Sequence, residues 1–400
     1  MSAALGSVVS AWGVSYAAQL LAGHFRVRAP GSAPVHVILL VANHFEPTWN
    51  DRSRQEGLRL LEGWCRDVES LGAKDGDGHP FKHTYFFPAE QYHPDLLRPL
   101  AGHCAAGFGE VEVHIHHGID APDTAARLEA DLRRFVDQLL EHGCLSHDQR
   151  TGRVGYSFVH GNWALANSGG GLNCGVDNEM EILSRTGCYL DCTLPSAPDR
   201  AQVPVINRIY VCGRPLAERA PHRTARSIAV GDGPPDFPML RQGPLLLQGP
   251  LLLDWRRRIS GLPVPRVENG ELSAEYPPSV ERARLWARAN VHVPGRPDWL
   301  FLKLHTHGLI ERHAGALLGD PMKRFLDDLL RHCDGAGWRL HFATAREAAN
   351  MILAALDGHP GDPDAARGYR FARPGDGPGG GPSGDFRPRR RGDKMDGSPS

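Results

Sequence analysis

Short apolar runs alternate with amphipathic segments of helical length along most of the chain, and this alternation restricts the fold more than any other feature. The apolar runs, which we predict to be strands, lie at 36–42, 82–87, 110–116, 154–160, 189–193 and 300–305. Predicted helices lie at 53–71, 122–142, 177–186 and 279–290. Nearly continuous apolar strands separated by helices are typical of a parallel sheet covered by crossover helices. The sequence therefore predicts an α/β fold.

We predict three regions along the chain. Residues 1–33 form an N-terminal segment, 34–356 form one domain with an elaboration at about 200–295, and 357–400 form a disordered tail. The elaboration is rich in proline and contains Gly-Pro-Leu-Leu-Leu twice, at 243–247 and 249–253, which we interpret as a local duplication. The tail consists mainly of Gly, Pro, Asp and Arg, so it has almost no apolar side chains to bury.

Composition excludes several classes of protein and partner. The 400 residues are 41% hydrophobic and 23% charged, which is ordinary for a globular protein, and the formal net charge is -1. A nearly neutral chain has no global field to attract nucleic acid, so we expect no nucleic-acid partner. The eight cysteines are dispersed rather than arranged as a dense disulfide framework, which favours reduced thiols and a cytoplasmic location.

Two further features leave alternatives open. Residues 2–23 carry no formal charge but lack the positive n-region of a signal peptide, so we expect a helix packed on the domain. A peripheral membrane helix or an export signal is the alternative. Cys174, Cys188 and Cys192 could belong to a zinc site, but their spacing lacks a matching second half, so we interpret them as small buried residues.

The strand predicted at 110–116 separates polar from apolar side chains. Because consecutive strand residues point to opposite faces, Glu112, His114 and His116 share one face, and the apolar residues between them share the other. The apolar face can pack against helices, whereas unpartnered imidazoles and a carboxylate inside a domain would be costly. A bound metal ion would remove that cost.

Other histidines stand at the ends of predicted strands. Lys303, His305 and His307 share one face of a late strand, while His44 and His160 each end another strand. In a parallel barrel the carboxyl ends of the strands meet at one mouth, where active sites form. Two imidazoles at His-x-His spacing can reach one divalent ion, and zinc accepts nitrogen ligands together with a carboxylate and a water molecule. We therefore predict a divalent metal cofactor at this mouth, with Zn²⁺ as the first candidate.

The order of these motifs resembles that of the polysaccharide deacetylase superfamily across roughly 34–310. The motifs are Asn43-His44-Phe45-Glu46-Pro47, His114-Ile115-His116-His117, His160-Gly161-Asn162-Trp163, Asp191 within GCYLDCTLPSAP, and Leu304-His305-Thr306-His307. The resemblance implies a (β/α) barrel, including a distorted or seven-stranded form, and a metal-dependent hydrolase that removes N- or O-acetyl groups from a carbohydrate substrate. The chain is also similar to uncharacterised bacterial deacetylase-like proteins that share the strings HFEP, VHGNWAL, TLPSAP and KLHTHG.

On this hypothesis individual residues have definite roles. His44, His114 and His116 hold the metal ion, with Glu46 as an alternative ligand to His44. Glu46 or Asp191 accepts the proton of the attacking water, and His305 protonates the leaving amine or alcohol. The residues expected to contact substrate are His117, His160, Asn162, Trp163 and His307. A platform for sugar rings could be formed by Trp49, Trp163 and Trp299.

The chain departs from the family at its first strand, where Asn43 and His44 replace the two aspartates that serve as base and metal ligand. Its histidine pair also lies at a strand end, whereas the family spaces the two ligands by three residues at the start of a helix. Two alternatives follow from these departures. The domain could be another metal-dependent barrel hydrolase, such as a glycosidase or an amidohydrolase, or a catalytically inactive glycan-binding module.

Overall fold

The computed structural model describes residues 35–233 and 243–373. The helices are α1 (Arg54–Ser70), α2 (Pro94–His103), α3 (Ala125–Glu141), α4 (Glu179–Thr186), α5 (Val280–Arg288), α6 (Ala314–Leu317), α7 (Asp320–Gly335) and α8 (Ala345–Leu356). The strands of the first half are β1 (Val35–His44), β2 (His83–Pro88), β3 (Gly109–Ile115), β4 (Ser146–Asp148), β5 (Val154–His160), β6 (Cys188–Asp191), β7 (Ile209–Cys212) and β8 (Ala225–Ser227). Those that follow are β9 (Leu245–Leu247), β10 (Leu252–Asp254), β11 (Arg258–Ile259), β12 (Leu262–Pro263), β13 (Arg266–Glu268), β14 (Glu271–Leu272), β15 (Trp299–His307), β16 (Trp338–Phe342) and β17 (Phe371–Ala372).

One large, mostly parallel sheet organises this mixed α/β fold, as the sequence predicts. Its strand order is β14-β15-β1-β2-β3-β5-β6-β9-β7-β8. Neighbouring strands are parallel from β14 to β9, whereas β7 and β8 extend that edge in antiparallel orientation. The pairings follow an open path, so the strands of 35–233 and 243–373 do not close into a barrel by hydrogen bonding.

The centre of the sheet is β1, which contacts three other strands. One edge pairs with β15 from His36 to His44, and the other edge is divided between β16 near its start and β2 near its end. All ten residues of β1 are buried, which explains why its sequence is almost continuously apolar. Because β1 and β15 are parallel and in register, His44 lies beside His307 at the carboxyl edge of the sheet.

Helices cover the two faces of the sheet unequally. The outer face forms a core with α1, α2, α3, α4 and α7, to which Val111, Val113 and Ile115 of β3 contribute. The inner face packs against α8, whose twelve residues are all buried. A capping box between Thr344 and Glu347 begins α8. The apolar residues of β3 thus pack against helices, as the strand alternation predicts.

The polar face of β3 is partly neutralised by α8. Glu110 accepts a hydrogen bond of 2.6 Å from the guanidinium of Arg346, and both side chains are buried. The next residue on this face, Glu112, accepts bonds from the backbone N–H of Ser157 and from the hydroxyl of Tyr189. Protein groups therefore provide hydrogen-bond partners for Glu110 and Glu112. The histidines of this face lie beyond them, at the carboxyl edge.

The segment after α8 differs from the tail predicted from composition. Residues 357–373 belong to the fold, since β17 pairs with β4 and Phe371 is buried. The buried Arg370 pairs with Asp148 at 2.9 Å, so ion pairs replace the apolar contacts that the composition lacks. The expected disordered tail therefore begins too early at 357. Residues 374–400 and the N-terminal segment 1–33 lie outside the described residues.

The elaboration at about 200–295 contains the small strands β7 to β14. The first Gly-Pro-Leu-Leu-Leu repeat contributes β9 to the large sheet, whereas the second leads into β10, which pairs with β13 in a separate two-stranded sheet. The duplication therefore does not form two equivalent units. Among residues 35–233 and 243–373, no helix has the length and apolar character needed to cross a membrane.

Candidate metal centre

Five polar side chains converge at the carboxyl edge of β1, β3 and β15. We call them the edge cluster: His44, Glu46, His114, His116 and His307. The ring of His44 lies 4.8 Å from the ring of His114 and 4.6 Å from that of His307, measured between centroids. The Oε1 atom of Glu46 lies 3.4 Å from Nε2 of His114 and 3.5 Å from Nε2 of His116. All three residues predicted as metal ligands are therefore brought together.

The outer hydrogen bonds of two imidazoles determine where their lone pairs point. Nδ1 of His114 donates to the carbonyl of Val159 at 2.9 Å, and Nδ1 of His116 donates to the carboxylate of Glu90 at 2.5 Å. Both partners can only accept, so each Nδ1 carries a proton, and in the neutral ring Nε2 then presents a lone pair. Both Nε2 atoms face Glu46, another acceptor, and a cation at the centre would satisfy this arrangement.

Burial and neighbouring charges favour a neutral His44 and an ionised Glu46, whereas the pKa of His116, which burial alone would lower, is raised overall by Glu90 and Glu46. Burial lowers the pKa of His44 well below its usual value, and the adjacent His307 and His114 lower it further. Burial alone would raise the pKa of Glu46, but the close contact with the ring of His114 and the charges of the nearby imidazoles lower it overall. A neutral imidazole and an ionised carboxylate are the forms that bind a divalent ion.

The donor set fits a small divalent cation. The ligand atoms of His44, Glu46 and His114 lie within 4.8 Å of one another, and all three side chains are buried. Nitrogen and carboxylate ligands suit Zn²⁺, which also leaves a position for water in catalytic sites. The outer hydrogen bonds to Val159 and Glu90 are of the kind that orient ligating histidines in metalloproteins.

Two indole rings flank the edge cluster. Trp163 lies 6.4 Å from His44 and 6.2 Å from His307, and the half-exposed Trp49 lies 6.1 Å from His116. Both are placed to contact a ligand. Trp299, the third proposed member of the platform, is fully buried at the opposite end of β15, so its predicted contact with sugar rings is wrong.

A polar cleft of about 330 Å³ opens beside His116. It is lined by Glu90, by the loop from Ile115 to Asp123, and by Arg127, Asp131 and Arg134 of α3. The cleft therefore opens beside the edge cluster onto a surface that carries both carboxylates and guanidinium groups.

Two of the predicted substrate-binding histidines belong to a second group. We call it the inner cluster: His117, Asp123, His160, Cys174 and Glu179. His117 lies between two carboxylates, with Nδ1 3.2 Å from Asp123 and Nε2 3.4 Å from Glu179. His160 is fully buried, with Nε2 3.8 Å from Glu179. His117 also lines the cleft, but His160 is buried behind it.

In the inner cluster, the hydrogen bond of His160 places the ring proton on the other nitrogen from that of His114. Nδ1 of His160 accepts a bond of 3.1 Å from the backbone N–H of Asn162, so Nε2 of the neutral ring carries the proton and lies 3.8 Å from Glu179, beyond hydrogen-bond distance. The side chain of Asn162 donates to the carbonyl of His117, which makes Asn162 part of the turn. Glu179 is held further by the backbone N–H of Ala166 at 2.6 Å.

The remaining predicted catalytic residues lie deeper in the fold. Asp191 accepts from the hydroxyl of Thr193 at 2.7 Å, and burial raises its pKa to about 7. His305 is buried on the face of β15 that carries His307, one step further from the carboxyl edge. Lys303, the next residue on that face, donates to two backbone carbonyls, those of Cys192 and Leu194. These three residues form a polar interior beneath the edge cluster.

Asn43 lies on the opposite face of β1 from His44. Its Oδ1 atom accepts a 2.8 Å bond from the backbone N–H of Gly308, immediately after β15. A Cβ atom at Gly308 would meet the amide of Asn43 at 2.7 Å and the ring of Trp64 at 3.0 Å, which explains the glycine. Asn43 therefore joins the ends of β1 and β15, and Glu46 provides the carboxylate of the edge cluster.

The structure adds four polar residues that sequence reasoning missed or did not assign: Glu90, Asp123, Cys174 and Glu179. Glu90 follows the end of β2, and this position at the carboxyl edge could have identified it. Cys174 lies beside Glu179, at 3.4 Å, rather than with Cys188 and Cys192 of the β6 region. All eight cysteines are free and buried, as the sequence predicts.

A scan against models of protein families finds no match to this chain, and a search of curated proteins finds none either. The edge cluster is therefore interpreted from its own geometry and from the motif resemblance.

Proposed function

We propose that the chain is a metal-dependent hydrolase that removes an acyl group from a carbohydrate, as in the polysaccharide deacetylases that its motifs resemble. The observation that carries this proposal is the orientation of His114 and His116, whose Nδ1 atoms donate to outer acceptors while their Nε2 atoms face Glu46. Imidazoles that bind a metal ion are usually held in this manner. His44, His114 and His116 are the proposed ligands.

The proposed roles follow from position in the edge cluster. A divalent ion would lower the pKa of water and polarise the acyl carbonyl. Glu46 is the carboxylate that faces Nε2 of both His114 and His116, so we assign it to accept the proton of the attacking water. We prefer it to Asp191, whose oxygens accept hydrogen bonds from Thr193.

The leaving amine or alcohol needs a proton, and we assign its donation to His307 rather than to His305. His307 ends β15, is partly exposed, and lies close to His44 and Trp163. His305 is buried one step deeper, where contact with a leaving group would require the site to open. The proposed proton donor, His307, then lies at the end of β15, and the proposed proton acceptor, Glu46, follows the end of β1 in the same cluster.

We also propose that the sheet is a distorted barrel. Lys303 of β15 donates to the carbonyls of Cys192 and Leu194 just after β6, at 2.6 and 2.7 Å. On the same side, a Cβ atom at Gly249 would lie 2.5 Å from the carbonyl oxygen of Lys303. These contacts bring the two arms of the sheet together without strand pairing, which supports a barrel that is closed by side chains and loops.

The test is an acetate-release assay on a panel of acetylated glycans, with metal analysis of the same preparations. We expect the His114→Ala, His116→Ala double variant to lose the metal ion of the edge cluster. Its rate should fall by at least about a thousandfold, since a metal ion contributes several kcal/mol to the transition state. His332→Gln is the matched control, because His332 lies on α7 away from the edge cluster.

Other results would select other functions. A double variant that keeps the full metal content of the wild type would show that the proposed ligand pair is wrong. Release of reducing sugar without acetate would favour a glycosidase. Metal-dependent binding of acetylated glycans with no product at all would favour the glycan-binding alternative.

A further inference from the structure

Four polar side chains meet near the amino end of β1, far from the carboxyl edge. We call them the amino-end cluster: His36, Asp77, His341 and Asp362. His36 stands on β1 and His341 on the adjacent β16, while Asp77 precedes β2 and Asp362 follows α8. Nδ1 of His36 lies 2.9 Å from Nε2 of His341. Oδ1 of Asp362 lies 3.6 Å from the first of these nitrogens and 3.7 Å from the second.

We propose that the amino-end cluster binds a structural divalent cation of the Zn²⁺ type through Nδ1 of His36, Nε2 of His341 and Oδ1 of Asp362. Tetrahedral zinc with nitrogen and oxygen ligands separates neighbouring ligand atoms by about 3.4 Å. The three distances of 2.9, 3.6 and 3.7 Å lie close to this value. The side chain of Asp362 is 28% exposed, so the fourth position is open to water.

The carboxylates of the cluster divide their oxygens between an outer and an inner partner. Arg339 binds Oδ1 of Asp77 at 2.6 Å and Oδ2 of Asp362 at 2.5 Å. The other oxygen of Asp77 lies 2.9 Å from Nδ1 of the fully buried His341. With the proton of His341 on Nδ1, its Nε2 lone pair points to the proposed ion, as in carboxylate–histidine–zinc arrangements.

The surrounding charges are not balanced by protein groups. Five connected carboxylates, Asp75, Asp77, Glu347, Asp362 and Asp364, face three basic side chains, Lys82, Arg339 and Arg367, and Asp364 also contacts the imidazole of His79. With neutral imidazoles, two negative charges remain, which matches one divalent ion.

A cation at this position would join four separate parts of the chain. It would connect β1 and β16 with the segment that follows α8, and Asp77 would add the turn before β2. It would add to the β17–β4 pairing and the Arg370–Asp148 ion pair that hold residues 357–373 on the fold. The proposed ion is structural, because the cluster lies at the opposite end of β1 from the edge cluster.

The test counts zinc in the full chain after equilibration with Zn²⁺ and removal of free metal. The background is the His114→Ala, His116→Ala variant, in which the edge cluster has lost two ligands. We expect this variant to keep about one zinc ion per chain, and to lose it when His341→Gln and Asp362→Asn are added. A chelator should lower the melting temperature of the first protein by several degrees but leave the second unchanged. His332→Gln in the same background is the control.

Two results would overturn the proposal. One is a double variant with native circular dichroism that holds no zinc, which would leave a hydrogen bond between neutral His36 and His341 as the explanation of the geometry. The other is zinc that persists after His341→Gln and Asp362→Asn. If these two substitutions prevent folding, Asp362→Asn alone is tested, since its amide oxygen can still accept the bond from Arg339.

Zinc content in the two sets of variants distinguishes failure of the amino-end proposal from failure of the proposed function. Zinc that is lost with His341→Gln but kept with His114→Ala and His116→Ala would support the amino-end cluster and contradict the proposed catalytic centre. Zinc that is lost only with the edge substitutions would have the opposite meaning. A Co²⁺-loaded sample of each variant gives a visible spectrum that reports directly on the ligands that remain.

Discussion

The edge cluster and the inner cluster contain the same kinds of side chain, yet their hydrogen bonds give them opposite chemistry. In the edge cluster, His114 and His116 donate outward and turn their Nε2 lone pairs toward Glu46. In the inner cluster, His160 accepts from the backbone at Nδ1 and therefore carries its proton on Nε2, the nitrogen that faces Glu179. On the proposed function, these outer hydrogen bonds, rather than residue type, separate the histidines assigned to the metal ion from the structural ones.

The largest expected effect tests whether the inner cluster is an ion-pair network. Burial alone would raise the pKa of Glu179, but His160 and His117 lower it to about 2, so the carboxylate is ionised. Glu179→Ala would leave both imidazoles without their common partner, and we expect a loss of about 3 to 5 kcal/mol in the free energy of unfolding. Urea denaturation measures this loss, and metal analysis should show no change.

Glu181→Ala is the control for that experiment. Glu181 lies on the same helix and pairs with Arg185 at the surface, so its removal should change the free energy of unfolding by less than about 1 kcal/mol. A Glu179→Ala protein that lost zinc from the edge cluster would contradict the separation of the two clusters.

A smaller effect tests the outer hydrogen bonds of the edge cluster. Glu90 orients His116 without touching the proposed ion, and its side chain is 40% exposed. We expect Glu90→Ala to weaken zinc binding by about 10- to 100-fold, as is typical when the partner of a ligating histidine is removed. Competition with a chromogenic chelator measures the affinity.

The Glu90→Gln variant distinguishes the effect of orienting His116 from the effect of the negative charge of Glu90. Its amide oxygen can still accept from Nδ1 of His116, so this variant should recover part of the affinity that Glu90→Ala loses. Equal affinities in Glu90→Ala and in the wild type would show that His116 is not held for a metal ion.

Most of the fold was predictable because its strands are buried on both faces. Parallel strands such as β1 and β5 have nearly continuous apolar sequences, and the observed bounds of the six predicted strands lie within a few residues of the prediction. The helices α2, α7 and α8 were not predicted, although Thr344 and Glu347 form a capping box at the start of α8. Because every residue of α8 is buried, it has no solvent-facing polar side from which helical periodicity could be recognised.

The candidate site was predictable at the level of strands but not of neighbouring side chains. The end positions of β1, β3 and β15 placed His44, His114 and His307 together, because parallel strands share one carboxyl edge. The separation of His160 from this group depends on Glu179, which lies on α4 and carries no strand-end signal. Whether a histidine faces a carboxylate or a backbone N–H is a tertiary property that spacing does not contain.

Glu112, on the polar face of β3, should make the stability of the fold depend on pH. Burial, followed by the nearby charge of Glu110, raises the pKa of Glu112 to about 8 from an ordinary value of 4.5. Between these values the folded state keeps a proton that the unfolded state releases, so stability should fall as pH rises through this window, by up to about 1.4 kcal/mol per pH unit. Glu112→Gln should flatten this slope in urea titrations at pH 5 and pH 8. An unchanged slope would mean that Glu112 is ionised in the folded state.

The smallest effect concerns Asn43, whose replacement of an acidic residue suggested an inactive domain. Since its amide joins β1 to Gly308 on the face opposite His44, Asn43→Ala should cost about 1 kcal/mol of stability through one lost hydrogen bond. Zinc content should be unaffected. Asn43→Asp keeps an acceptor for Gly308 but should not increase acetate release, because the new carboxylate would point away from the edge cluster. A clear gain in that rate would show that the chain had lost its base at this position, and that Glu46 does not replace it.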